Sequence, residues 1–166
     1  MKKDPLNCPI QSQVRLDSKV LRLNIAVVMT HYQQILKIPT RSKSLQKITR
    51  QVEDVVAQSG VRTGLCTLFL KHTSASLIIQ ENADPDVLKD LEHFFAKLVP
   101  EWENYIHSTE GPDDMPAHIR SVLTHTSEQI PVNNNRLTLG TWQGIYLWEH
   151  RQHGHTRELV VHVMGE

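Results

Sequence analysis

From Met29 onward the chain is cut into short apolar runs, few longer than one strand needs, and only two stretches repeat apolar residues at full helical spacing. Strand candidates are Leu65 to Leu70, Leu77 to Gln80, Gln129 to Val132, Arg136 to Leu139, Gly144 to His150 and Glu158 to Val163, and THYQQILKIPT alternates in the same way. Two helical stripes among so many short strands, in no regular βα order, predict an α+β fold.

The first stripe, Leu45, Ile48, Val52, Val55 and Val56, predicts a core helix that stops at Ser59-Gly60. The second begins at Asp84-Pro85-Asp86, which supplies an N-cap, a proline at the first helical position and a first-turn carboxylate. Val87, Leu91, Phe94, Phe95 and Leu98 then predict a buried stripe. Between Glu101 and Pro116 the chain is polar, with glycine and two prolines, and reads as a long loop before a short helix near Ala117 to Leu123. Asn133-Asn134-Asn135 and Gly154 break the later strands.

Residues 1–28 are polar up to the alternating Leu21, Leu23, Ile25 and Val27, and read as an extension outside a domain complete from residue 29 to 166. A total of 166 residues suits one domain with a real core. Lys and Arg number 18 against 18 Asp and Glu with no basic run, which argues against a nucleic-acid partner. Arg22 and Asn24 interrupt VLRLNIAVV, so no signal or membrane span is expected and the default location is cytoplasmic. Cys8 and Cys66 suggest no disulfide framework, and Cys66 inside GLCTLFL reads as a buried hydrophobe.

Histidine is the compositional oddity, with ten in a chain only 5% aromatic, and it carries metals and protons near pH 7. Three polar clusters interrupt the apolar elements: HTSAS from 72, ENADPD from 81, and HSTEGPDDMPAH from 107. In the third, His107 and His118 bracket Glu110, Asp113 and Asp114, a nitrogen and oxygen set suited to zinc or manganese, though the same residues also serve as surface or capping groups. His72 with Thr73, Ser74 and Ser76 is either a phosphate cradle or a polar turn. Asp84 and Asp86 are explained by helix capping, and the glycines flanking Trp142-Gln143 mark either a close ligand approach or a bulge. No GxSxG elbow supports a serine nucleophile.

The segments HTSASLIIQENADPDVLKDLE, HSTEGPDDMPAHIRSVL and IPVNNNRLTLGTWQGIYLWEHR together resemble the YjbQ family, in order and over residues 29–166. The resemblance implies a sandwich of mainly antiparallel strands with two main helices, assembled as a homotrimer with sites near subunit boundaries. Family-matching positions are His72, Thr73, Ser74, Glu81, Asn82, Asp84, Asp90, His107, Glu110, Asp114, His118, Gln143 and Glu149. It implies a divalent ion, magnesium, manganese or zinc, on His72, His107, His118 and Asp114. Catalytic roles fall to His72, His107, Glu110 and Gln143, and substrate contacts to Thr73, Ser74, Glu81, Asn82 and Asp84.

The activity attached to that family is a secondary thiamine-phosphate synthesis, joining hydroxymethylpyrimidine pyrophosphate to a thiazole phosphate with release of pyrophosphate. Such a reaction needs its leaving group stabilised, and the residue types fit. Arg120, Arg136, Arg151 and Arg157 are the candidate cationic clamps. The alternatives are a metal-dependent hydrolase or isomerase of another small phosphorylated metabolite, and a non-catalytic metabolite-binding trimer.

Overall fold

The computed structural model describes residues 29–166; the extension read over residues 1–28, with its alternating Leu21 to Val27, lies outside the described residues. Eleven elements follow in order: β1 (Thr30–Pro39), β2 (Leu45–Lys47), α1 (Thr49–Ser59), β3 (Thr63–Leu70), β4 (Ala75–Glu81), α2 (Pro85–Leu98), α3 (Asp114–Leu123), β5 (Ser127–Asn133), β6 (Arg136–Leu137), β7 (Gln143–Glu149) and β8 (Thr156–Gly165). They build a five-stranded sheet, β1-β8-β3-β5-β6, and a three-stranded sheet, β2-β7-β4. Among the described residues every strand pairing is antiparallel.

Period-two alternation explains the core. In β8, Leu159, Val161 and Val163 are buried while Glu158, Val160 and His162 stay partly open; in β3, Cys66, Leu68 and Leu70 turn to the same interior. Leu77, Ile145 and Leu147 from the smaller sheet and Val52, Val55 and Val56 from α1 join them in one cluster. Fully burying each such side chain is worth about 1.5–3 kcal/mol. The β5–β6 hairpin turns on Asn134 and Asn135, both at positive φ (51° and 60°), a conformation asparagine accepts more readily than branched residues.

Three expectations need correction. The first helix does not start at Leu45: Leu45–Lys47 pair with β7 as strand β2, and α1 begins at Thr49 before ending, as expected, on Gly60 at φ 72°. Short apolar runs satisfy both periods, and here pairing with a strand prevails over helix spacing. The stripe on α2 is not buried, since none of its residues is fully covered and Phe94 and Leu98 are 58% and 53% exposed. Phe95 anchors it edge-on to Trp148 at 4.9 Å, and Glu92 accepts from the Trp148 indole N–H. The third helix starts at Asp114, not near Ala117, because Pro116 falls in its first turn, where a missing N–H costs nothing.

Candidate metal and substrate site

One end of the sandwich gathers several chain crossings. Ala75 opens β4 opposite Glu149 at the close of β7, and Thr156 opens β8 opposite Pro39. The turn His72–Ser74 passes between the two sheets at this end, and α3 docks on it: the Ser121 hydroxyl donates to the Ala75 carbonyl (3.1 Å), and His118 Nδ1 bonds the Thr73 carbonyl (3.0 Å).

Asp114 and His118, four residues apart on α3, share a face. His107 reaches them from the preceding loop. Its Nε2 lies 2.8 Å from Asp114 Oδ2, and His118 Nε2 lies 3.3 Å from the same oxygen. The imidazole centroids are 5.6 Å apart, and one ligand atom from each of the three residues lies within 4.8 Å of the others. Asp114 is 2% exposed, against 43% and 31% for the His107 and His118 side chains, so the carboxylate lies beneath two accessible rings.

The hydrogen bonding tests whether a metal fits. A carbonyl only accepts, so His118 Nδ1 must carry hydrogen, which turns the Nε2 lone pair of a neutral ring toward a carboxylate oxygen. Two lone pairs facing at 3.3 Å repel unless a cation lies between them, whether a proton on the ring or a metal ion. Fixing one ring nitrogen on a carbonyl while the other faces the ligand is the usual state of a metal-binding histidine.

Arg151 holds the far side of this carboxylate. Its Nη1 donates to Asp114 Oδ1, Nε to Asp113 Oδ2 (2.9 Å), and Nη2 to the Glu110 carbonyl (2.8 Å). Burial alone would raise the Asp113 carboxyl, but the Gln152 N–H and Arg151 outweigh it and hold it below the usual carboxylate range. Deeper in, Glu149 is fully buried and takes Arg157 on both oxygens (2.5 and 2.7 Å), the Thr40 hydroxyl (2.7 Å) and the Arg151 N–H (3.1 Å). Those bonds offset burial and keep its carboxyl low as well.

The expected site residues divide into two groups. His107, Asp114 and His118 converge, but His72 is not part of their cluster: its Nε2 accepts from the Glu158 N–H (2.8 Å), and burial followed by the Arg157 charge lowers its pKa. Thr73 contributes its carbonyl and Glu110 its carbonyl, while the Ser74 hydroxyl accepts from Arg157 (3.1 Å). Glu81, Asn82, Asp84 and Gln143 lie at the opposite end of β4, where Glu81 pairs with Gln143. There Asp84 caps α2 by accepting from Asp86 N (2.8 Å), and Asn82 donates to the Gln143 carbonyl (2.9 Å). Gln143 Oε1 accepts from Gly140 N (2.8 Å).

Sequence reasoning did not find the Asp113–Arg151 brace, because nothing in spacing links residues 38 apart. Beside the triad, His107 lines a cavity of about 380 Å³ with Glu101, Tyr105, Ser108 and Gly111. This is an accessible approach for a small polar ligand.

Comparison with known proteins agrees with this architecture. Residues 34–166 match the family model described as UPF0047 protein YjbQ-like. A UPF0047 protein of Synechocystis is 63% identical over 145 residues, covering 87% of this chain and 99% of the relative. UPF0047 protein YjbQ of Escherichia coli O157:H7 is 44% identical over 136 residues, covering 81% and 99%. Among solved structures, a YbjQ-like protein of unknown function from Sulfolobus solfataricus superposes with a TM-score of 0.78 at 26% identity, covering 84% of this chain and 100% of that one. An uncharacterized YjbQ/UPF0047 protein of Clostridium acetobutylicum gives 0.70 at 37% identity, covering 79% and 98%.

Proposed function

The chain belongs to the YjbQ-like UPF0047 family, and on that premise we propose that it is a divalent-metal-dependent enzyme acting on small phosphorylated molecules, with thiamine-phosphate synthesis as its reaction. The single observation that carries the metal is the His118 ring, anchored through Nδ1 to the Thr73 carbonyl and facing Asp114 with its other nitrogen. His107, Asp114 and His118 would hold the ion, which when bound supplies positive charge for a phosphate oxygen.

The chain's own residues do the rest. In the proposed reaction the bond from the pyrimidine methylene carbon to the pyrophosphate oxygen breaks, and that carbon bonds to the thiazole ring nitrogen. The nitrogen loses no proton, so catalysis is mostly leaving-group stabilisation and positioning. His107, the more exposed ring, borders the cavity from which substrate enters. Arg151 holds and aims Asp114, and Arg157 holds Ser74 and Glu149.

Equilibrium dialysis with zinc and manganese, followed by an assay for thiamine phosphate, tests the reading. Wild type is expected to take up a single ion per chain and make product; His118→Ala is expected to do neither. Metal uptake unchanged in that variant would sink the proposal.

One observation favours a second reading, a hydrolase or isomerase of a less highly charged metabolite. Arg151 and Arg157 are each committed to buried carboxylates, which leaves neither free to clamp a pyrophosphate. Turnover of a monophosphate, with none of the pyrophosphate substrate, would select it.

The working assembly in this proposal is a homotrimer. Trp102, Ile106 and Val122 are 80%, 104% and 84% exposed in the single chain, and association would cover such side chains. Analytical ultracentrifugation is expected to give three times the chain mass at micromolar concentration. A monomer mass would remove the trimer from the proposal.

A further inference from the structure

At the far end of β4, Asn82 and Gln143 brace the Gly140–Gln143 turn, and that turn walls a second cavity of about 400 Å³. Lys47, Thr49, Arg50 and Glu53 line the opposite side. β4 is seven residues long, so this cavity lies roughly 20 Å from the His72–Ser74 turn and the metal-ligating triad beyond it.

Its chemistry is cationic. Lys47 and Arg50 are exposed, and neither pairs with a carboxylate among the described residues. Glu53 is the lone carboxylate on the lining, so one positive charge is left over. Lys47 is held close to the turn because residue 144 is glycine: a Cβ there would come within 3.3 Å of Lys47 Cε and 3.2 Å of Asn82 Cβ.

Backbone donors add to the two cations. Thr49 and Arg50 open α1, whose N-cap, Ile48, has no side chain able to accept a bond, and the first turn holds no acidic residue. The Thr49 hydroxyl instead accepts from the Ile145 N–H (2.9 Å), so it does not cap the helix. The Val52 N–H bonds the Ile48 carbonyl (3.2 Å), but the N–H groups of residues 49–51 lack internal partners at the same place where the unpaired lysine and arginine stand.

We infer that this cavity is an anion-binding site for a phosphate group or small phosphate monoester, separate from the metal-ligating triad. The two side-chain cations supply charge, the α1 amides supply directed donors, and the braced turn fixes the cavity shape.

Titrating the full chain with inorganic phosphate, followed through backbone amide chemical shifts, tests it. Shifts are expected at residues 49–51 and 140–143, and the Lys47→Gln/Arg50→Gln double variant is expected to weaken half-saturation by about ten-fold or more. Glu53→Gln should tighten binding, and Arg62→Gln, an exposed cation elsewhere, should leave it unchanged. A double variant that titrates like wild type, or shifts confined to the His72–Ser74 turn, would overturn the site. Because His118→Ala leaves this cavity intact, phosphate binding that survives in that variant separates this inference from the metal proposal.

Discussion

Asp114→Asn is expected to abolish metal uptake while leaving a folded protein. Asparagine matches the buried carboxylate in size but carries no charge, and Asp114 is the only anionic member of the triad. Two imidazoles alone on a loop and a helix face hold a divalent ion weakly, so affinity should fall by at least about 100-fold, beyond the about 10–100-fold typical of losing an outer-shell partner. The structural cost is smaller. Arg151 keeps Asp113 and the Glu110 carbonyl, so on its side the loss amounts to one charge-assisted bond, about 1–3 kcal/mol. Calorimetric titration with zinc on wild type and variant, alongside a thermal melt, separates the two effects. A variant that binds zinc as tightly as wild type would show that the ion is held elsewhere.

Much of the fold was readable because it rests on periods. Two-residue alternation marked β1, short bounded apolar runs marked β3, β7 and β8, and Asp84-Pro85-Asp86 marked the start of α2, where Asp84 does accept from the Asp86 N–H. The errors came where a local pattern fits two partners. Leu45 and Ile48 fall on the α1 stripe by spacing, yet Leu45 faces Trp148 across β2–β7. The α2 stripe has the right period, but how far it is covered depends on a neighbour that sequence does not specify.

For the site, proximity in sequence was informative and distance was not. His107, Asp114 and His118 come from one stretch, and one helical turn plus a short loop brings them together. His72 and Gln143 looked equally suggestive, but β4 places them at opposite ends of the small sheet's flank. Histidine count was a partial guide: His150 is buried in the core, hydrogen-bonded to the Ser76 hydroxyl (2.9 Å), with burial pushing its pKa down to about 3. That ring stays neutral and packs against Trp148 at 5.1 Å, a structural use no composition argument distinguishes from a ligand.

Glu149→Gln is the second large expected effect, and it falls on stability. Glu149 is 0% exposed and Arg157 4%, so the substitution leaves a buried guanidinium facing a neutral amide. Breaking such a pair from one side costs about 3–5 kcal/mol, which for a domain of this size lowers the melting temperature by roughly 10 °C. Acid dependence identifies the cause. Burial alone would raise the Glu149 carboxyl, but Arg157, the Thr40 hydroxyl and the Arg151 N–H hold it low, so its folded pKa lies below its unfolded value near about 4.3. The stabilisation is therefore complete above that value and is lost as pH falls through the folded pKa. Wild-type melting temperature should drop steeply below about pH 4.3, and the Glu149→Gln profile should be flatter there. Parallel acid profiles with equal melting points at neutral pH would show that the pair contributes nothing. Arg157 also holds the Ser74 hydroxyl, one residue from the Thr73 carbonyl that orients His118, so the same variant should bind zinc more weakly without losing a ligand.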